Sequence, residues 1–376
     1  MMQRIYFDNA ATTALDPIVL EAMMPFLTEK FGNPSSIYSY GRETKMAIEA
    51  ARKSVAKIIN AKPAEVFFTS GGTESTNTAI LGAVNDLGCT HIISSSIEHH
   101  ATLHTVEALA KKGKVKLSFV KLLPNGHVDL QDLENLLANA SDKTLVTLMH
   151  GNNEIGNILP VETVGTICEK HNAIFHTDAV QTLAHYPLDM QNMKVHLMSG
   201  AGHKFHGPKG CGLLYINENI SIAPLLEGGG QERNMRSGTE NIYGIVGFTK
   251  ALELAMERYV NDSKNIAAIK SYFWQQLQQS IQGVSLNGDC ENGLYTILNV
   301  AFPNSPKAAM LLYSLDIEGI CISGGSACSS GANSVSHVIK AVKGTENIVP
   351  IRFSFCRNNT TQEADIVVAK IKDLIG

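Results

Sequence analysis

The chain predicts an α/β protein: a large domain with a mostly parallel sheet sheathed by helices, plus a smaller α+β domain. Three observations carry the prediction. Short apolar runs alternate with longer helical patterns as far as residue 198, as expected of strands buried on both faces and joined by crossover helices. A helical pattern then continues without a break over about 241–282 and reads as the exit from that domain. At 376 residues, the chain has room for two domains or for one large domain with an appendage.

A short strand over 5–7 opens the chain. The segment DNAATTALD (8–16) is a loop leading to a helix begun at Pro17. Within 41–59, Ala47, Ala51, Val55, Ile58 and Ile59 recur at helical spacing. Residues 66–68 form a buried strand, 73–84 a helix and 91–94 a strand. A helix over 101–111, a strand over 115–120 and a helix over 130–138 follow. Next come a strand over 145–149, a helix over 161–170, a strand over 173–177 and an apolar run over 195–198. Beyond the long helix, strands over 297–302 and 351–355 and helices over 308–315 and 363–374 make the smaller domain. The division expected is 14–255 for the large domain, with 1–13 and 256–376 forming the small one.

A hydrophobic content of 44% and a charged content of 18% describe a soluble protein with a substantial core. The net charge of −4, without a Lys/Arg block, gives no basis for direct nucleic-acid binding or for an anionic membrane. No apolar run approaches the roughly 18 residues of a membrane span. The start MMQRIYFD lacks the apolar centre of a signal peptide, so a cytoplasmic location is expected. Seven cysteines without a CxxC pair argue against a disulfide framework or a structural zinc site.

In open α/β sheets, ligands collect beyond the carboxyl ends of the strands, so the segments after each strand carry the chemistry. GAGHKFHGPKGCG (200–212) sets Lys204 among glycines, two histidines and Pro208. Neither GxGxxG nor GxxxxGK fits there. A desolvated amine in that setting can form a Schiff base, whereas the same residues also suit a surface Gly/Pro loop. TSGGTES puts Gly72 and Thr73 at a helix start, as a phosphate cradle or an ordinary capped turn. HGNNEIG offers Asn153 for a ring substituent or a carboxylate, or simple turn chemistry. HTDAVQ ends a strand on Asp178, able to pair with a protonated ring nitrogen or to cap a helix, with Gln181 nearby.

IEHHATLH offers His99 as a stacked imidazole that also moves protons. His100 and His104 lie one helical turn apart, but no HExxH pattern or third metal ligand accompanies them. GGGQERNMRSGTEN places Arg233, Arg236 and Thr239 on a glycine-rich loop that either meets phosphate across a subunit interface or is simply exposed. In SGGSACSSGANS, Cys328 is the only large reactive side chain, a nucleophile or a free surface thiol. A thiol of ordinary pKa is only slightly ionised at neutral pH, so it needs a base such as His99 or a cationic cofactor site.

The ordered series FDNAATT, FGNPSS, SGGTES, EHHA, HGNNEIG, FHTDAVQ, GHKFHGPKG, GGGQERNMRSGT, SGGSACSSG and IRFS resembles the cysteine desulfurases of the NifS/IscS type over nearly the entire chain. The resemblance implies pyridoxal 5′-phosphate as cofactor, the PLP-dependent transferase fold type I and a homodimer. It implies a sulfurtransferase that converts L-cysteine to L-alanine and leaves the sulfur on Cys328 as a persulfide. The sulfur would go to an acceptor such as an iron-sulfur scaffold, for iron-sulfur cluster assembly, or to a tRNA-thiolation protein. By the same resemblance Lys204 would bind the cofactor, Asp178 would pair with its ring nitrogen, His99 would stack on the ring and Gln181 would reach its phenolic oxygen. Gly72, Thr73 and His203 would hold the phosphate, with Thr239 arriving from the other subunit. Asn153, also at the cofactor, and Arg352 would receive the substrate carboxylate.

Three departures from the family pattern stand out. Ala201 replaces a common serine, removing a phosphate contact unless Ser199 compensates. Cys356 replaces a glycine in the RFSxG turn. The sequence ends at Gly376, where housekeeping members carry a longer tail that docks a scaffold. A selenocysteine lyase or another class V transaminase-like activity would share the cofactor residues without needing Cys328. A catalytically silent scaffold for sulfur-transfer partners would need neither Lys204 nor Cys328.

Overall fold

The computed structural model describes residues 4–324, 336–344 and 347–375. Seven strands build the central sheet: β2 (Val66–Thr69), β3 (His91–Ser94), β4 (Lys116–Phe119), β5 (Thr144–Thr147), β6 (Ile174–Asp178), β7 (Leu197–Ala201) and β8 (Gly212–Ile216). Their spatial order is β2-β8-β7-β6-β5-β3-β4. Every pairing is parallel except those of β8, which runs against both β2 and β7. The sheet is thus mostly parallel, as expected, with one reversed strand that the sequence reading did not anticipate. Its residues follow the turn GPKGC, and the return from β7 is a tight connection rather than a crossover helix.

The contiguous apolar runs have a simple cause: neighbouring residues on each strand point to opposite faces, and both faces are covered. Phe68, Val146, Phe175, Met198 and Tyr215 face one core, with helices Pro17–Thr28 and Ser39–Ile58 over them. Their neighbours Phe67, Leu145, Ile174, Leu197 and Leu214 face another, beneath helices Gly72–Asn85 and His100–Lys111.

Helix Ile242–Ser280 runs for 39 residues. Its Ile245, Phe248 and Leu252 join the first core. Ile266, Ile269, Phe273 and Leu277 enter a separate cluster with Phe302, Phe353, Phe355 and Val367. The Phe273 and Phe353 rings lie 4.7 Å apart. This second cluster surrounds two small sheets. β1 (Ile5–Tyr6) pairs in parallel with β11 (Ile320–Cys321). β10 (Ile297–Pro303) pairs antiparallel with both β9 (Ser285–Leu286) and β12 (Ile348–Ser354). A bridge from Asp8 to Ser354 joins the two sheets. The single helix expected over 308–315 is two, Pro306–Ala309 and Leu311–Ile317. Among the described residues no helix is long and apolar enough to cross a membrane.

Candidate active site

The parallel strands end along one edge, and the segments leaving them close a cavity of about 240 Å³. Lys204 reaches it from the single 3-10 turn Gly202–Lys204 directly after β7. Asp178 is the last residue of β6, and His99 immediately precedes the helix that follows β3. Gly72 and Thr73 begin the helix that follows β2. Gln181, His203, Asn153 and Arg352 line the same space, so nine of the sequence-predicted site residues meet there. The glycine at 72 is required by space, since a Cβ would stand 2.7 Å from Val180 Cγ2.

The lysine is held from the N-terminal loop. Its Nζ donates to Ala10 O at 2.7 Å and Ala11 O at 2.8 Å, and Gln181 Nε2 donates to Ala10 O at 3.0 Å. Asp178 accepts from Val180 N at 2.9 Å. Burial pushes its carboxyl up to about 6, against the pull of that N–H and of the Lys204 charge. His99 Nδ1 accepts from Ala101 N at 3.1 Å, which leaves the proton on Nε2. Burial, then the Lys204 charge, lowers His99 to about 4, so its ring is a neutral flat surface at the cavity wall. His203 is lowered to about 4 mainly by burial, and its Nδ1 lies 3.2 Å from Thr12 Oγ1.

The remaining residues singled out in the sequence are placed as follows. Ser199 does not compensate for Ala201. It lies one residue pair deeper on β7, fully buried, with its Oγ bonded to Thr76 Oγ1 at 3.1 Å and His176 Nε2 at 2.9 Å. Arg233 is engaged by Glu49 Oε2 at 2.7 Å and Arg236 by Glu74 Oε1 at 2.9 Å, so both serve carboxylates of their own chain. Thr239 opens on a second cleft of about 140 Å³ beside Ser70 and Gly210. His100 stacks with His104 and His337 at 4.6 and 4.7 Å, and no group of three or more side chains able to hold a metal occurs among the described residues. Cys328 lies outside the described residues.

The cavity also gathers residues that sequence reasoning passed over. Glu154 and His337 line it. Burial raises the Glu154 carboxyl, which accepts from Ser336 Oγ at 2.5 Å. Asp8 pairs with the buried Arg352, Oδ1 to Nη2 at 2.7 Å, while Arg352 Nη1 donates to Asn153 O at 2.7 Å. The quoted motifs HGNNEIG and FDNAATT contained Glu154 and Asp8, but their partners lie 182 and 344 residues further on.

The donor set suits pyridoxal phosphate. A buried carboxylate, a lysine, a neutral imidazole face and a helix start opening at a small residue share one cavity, and among the described residues Asp178 makes no ion pair of the kind a protonated ring nitrogen would supply. Comparison with known proteins agrees. Residues 5–367 match the family model Aminotransferase class-V. The chain is 41% identical over 380 residues to "Putative cysteine desulfurase IscS 1" of Bacillus subtilis strain 168, covering 100% of this chain and 99% of that protein. Its fold superposes on a solved "NIFS-LIKE PROTEIN" with a TM-score of 0.92 at 38% identity, covering 99% of each chain. It superposes on the structure "SspA in complex with cysteine" with a TM-score of 0.82 at 32% identity, over 95% of this chain and 100% of that one. Fold and site together define a pyridoxal phosphate enzyme. The chain belongs to the class-V aminotransferase family and, within it, to the NifS/IscS type.

Proposed function

We propose that this enzyme is a cysteine desulfurase that converts L-cysteine to L-alanine and transfers the sulfur to Cys328. One observation carries the reading most directly: Lys204, Asp178 and His99, from three separate strand ends, converge on a single cavity. The step balances as L-cysteine plus the Cys328 thiol giving L-alanine plus the Cys328 persulfide. The substrate C–S bond breaks and an S–S bond forms.

Lys204 would carry the cofactor and then hold and return the Cα proton. Asp178 would keep the ring nitrogen protonated, and the neutral His99 ring would stack on the cofactor. Gly72, Thr73 and His203 would face the phosphate, Gln181 the ring oxygen, and Asn153 and Arg352 the substrate carboxylate. When bound, pyridoxal phosphate supplies an electron sink for bond breaking at Cα.

A homodimer, with Thr239 entering the partner's site, completes this reading. The exposed apolar residues Ile18, Leu20, Met24, Leu27, Phe31 and Ile37 support a second copy packed on this face. The two core clusters that share helix Ile242–Ser280 support a cofactor-holding unit over 14–255 and a second unit formed by 1–13 and 256–376. A sulfur-acceptor protein and a cytoplasmic setting are part of the same proposal.

The test is mass spectrometry of the protein after treatment with L-cysteine. One added sulfur on the Cys328 peptide, with matching release of alanine, is the expected result. Unimpaired alanine release by Cys328→Ala would replace the proposal with a lyase that needs no enzyme thiol.

A further inference from the structure

Arg352 is the most deeply buried cation on the cavity wall, its side chain 2% exposed against 17% for its partner Asp8. Its backbone is fixed on two sides, paired with Asn299 of β10 and bridged to Ser323. Two of its three side-chain nitrogens are committed, Nη1 to Asn153 O and Nη2 to Asp8 Oδ1. The third, Nε, is buried without a partner among the described residues. A guanidinium in such a place needs a counter-charge, and two carboxyls compete to supply it. Asp8 makes the direct contact at 2.7 Å. Glu154, buried on the same wall, also feels the Arg352 charge but bonds to Ser336 instead.

We infer that Asp8 is a positioning residue for substrate recognition, holding the Arg352 guanidinium in one orientation while the site is empty, so that an amino-acid α-carboxylate meets a preformed fork. The inference rests on reading Arg352 as the carboxylate receptor. Asp8 is the member of the pair in touch with solvent, so it can rehydrate as the substrate carboxylate takes its share of the guanidinium. Arg352 has no such freedom. Without Asp8, the carboxyl on the same wall that already interacts with the Arg352 charge is Glu154, and a guanidinium drawn towards it would present the wrong edge to the substrate.

The test uses the cofactor-loaded dimer with Asp8→Ala and Asp8→Asn. KM for L-cysteine is measured, together with binding of L-alanine and of ethylamine, its counterpart without a carboxylate, by titration calorimetry. In Asp8→Ala, KM for L-cysteine and Kd for L-alanine are expected to rise by about 10- to 100-fold, as misplacing a binding group does. The kcat at saturation should change far less, and ethylamine binding should stay as it was. Asp8→Asn, which keeps an acceptor but loses the charge, should fall between. In an Arg352→Ala background the Asp8 substitution should add nothing.

Equal weakening of L-alanine and ethylamine would mean a general disturbance of the site and overturn the inference, as would tighter L-alanine binding. If Arg352→Ala weakens L-alanine but Asp8→Ala does not, the role of Asp8 falls and Arg352 keeps its own. If Arg352→Ala leaves L-alanine binding unchanged, the carboxylate reading fails and takes the inference with it.

Discussion

The Lys204 ammonium donates to the carbonyl oxygen of Ala10 at 2.7 Å, across 194 residues of sequence. The loop after β1 is therefore one wall of the lysine's site, and Gln181 fixes that wall by donating to the same oxygen. A lysine that joins an aldehyde must leave this pair of carbonyls, which then stay beside the amine to receive it again.

Replacing Lys204 by alanine should lower alanine release by about 10³-fold or more, the scale of losing a positioned proton carrier. The far-ultraviolet circular dichroism should be unchanged, because Lys204 ends a short turn rather than a core element. Residual turnover within tenfold of the parent would remove Lys204 from the chemistry.

Asp178→Asn keeps the shape and the acceptor for Val180 N but loses the charge. The expected cost is about 10²- to 10³-fold in turnover, comparable to losing one electrostatic partner of a reacting group. Cofactor should also be lost faster on dialysis, followed by its visible absorbance. Parental activity with an amide at 178 would argue against a protonated ring nitrogen opposite it.

Arg52 and Glu232 form a buried, two-pronged pair, both contacts at 2.8 Å, and Glu232 also accepts from Phe68 N. The pair anchors a loop in which Glu232, Arg233 and Asn234 all adopt positive φ. Removing one partner by Arg52→Ala or Glu232→Ala should destabilise the protein by about 3–5 kcal/mol in urea denaturation, because the other charge stays buried. The double substitution should cost less than the sum of the two. Additive losses would show that the two groups do not depend on each other.

His150 and His176 lie outside the cofactor cavity, bonded to Thr182 Oγ1 and to Thr147 Oγ1 and Ser199 Oγ. Burial lowers them to about 4 and about 3. The unfolded chain takes up protons near pH 6.5 while the folded chain does not, so stability present above that pH is lost as pH falls towards 4. For His150 alone the loss is roughly 3 kcal/mol. Urea midpoints at pH 7, 5.5 and 4.5 should decline in that order, and the decline should flatten in His150→Gln. A flat profile in the parent protein would contradict the neutral burial of these rings.

Lys204, Asp178 and His99 were legible as candidates in the sequence because each sits at the end of a buried strand or in the short polar segment beyond it, where local composition already marks a ligand-facing end. The parallel sheet was legible for a related reason, its runs being apolar on consecutive residues. β8 was hidden because its five residues emerge from a glycine- and proline-rich turn and run the other way. Asp8 and Glu154 could be seen as residues but not as partners, since Arg352 and Ser336 reach them only once the two ends of the chain have come together. Ser199 misled because strand alternation places it on the same face as Ala201. Depth along the strand, which no spacing rule reveals, puts it under helix Gly72–Asn85.

Helix Ile242–Ser280 has a foot in each of two cores, and this makes it a phase-setting shaft. Inserting a single residue between Met256 and Ile266 would turn everything downstream by about 100° and advance it by about 1.5 Å, carrying Arg352 away from Lys204 without altering either. The angular setting of this one shaft therefore decides whether the two halves of the pocket meet.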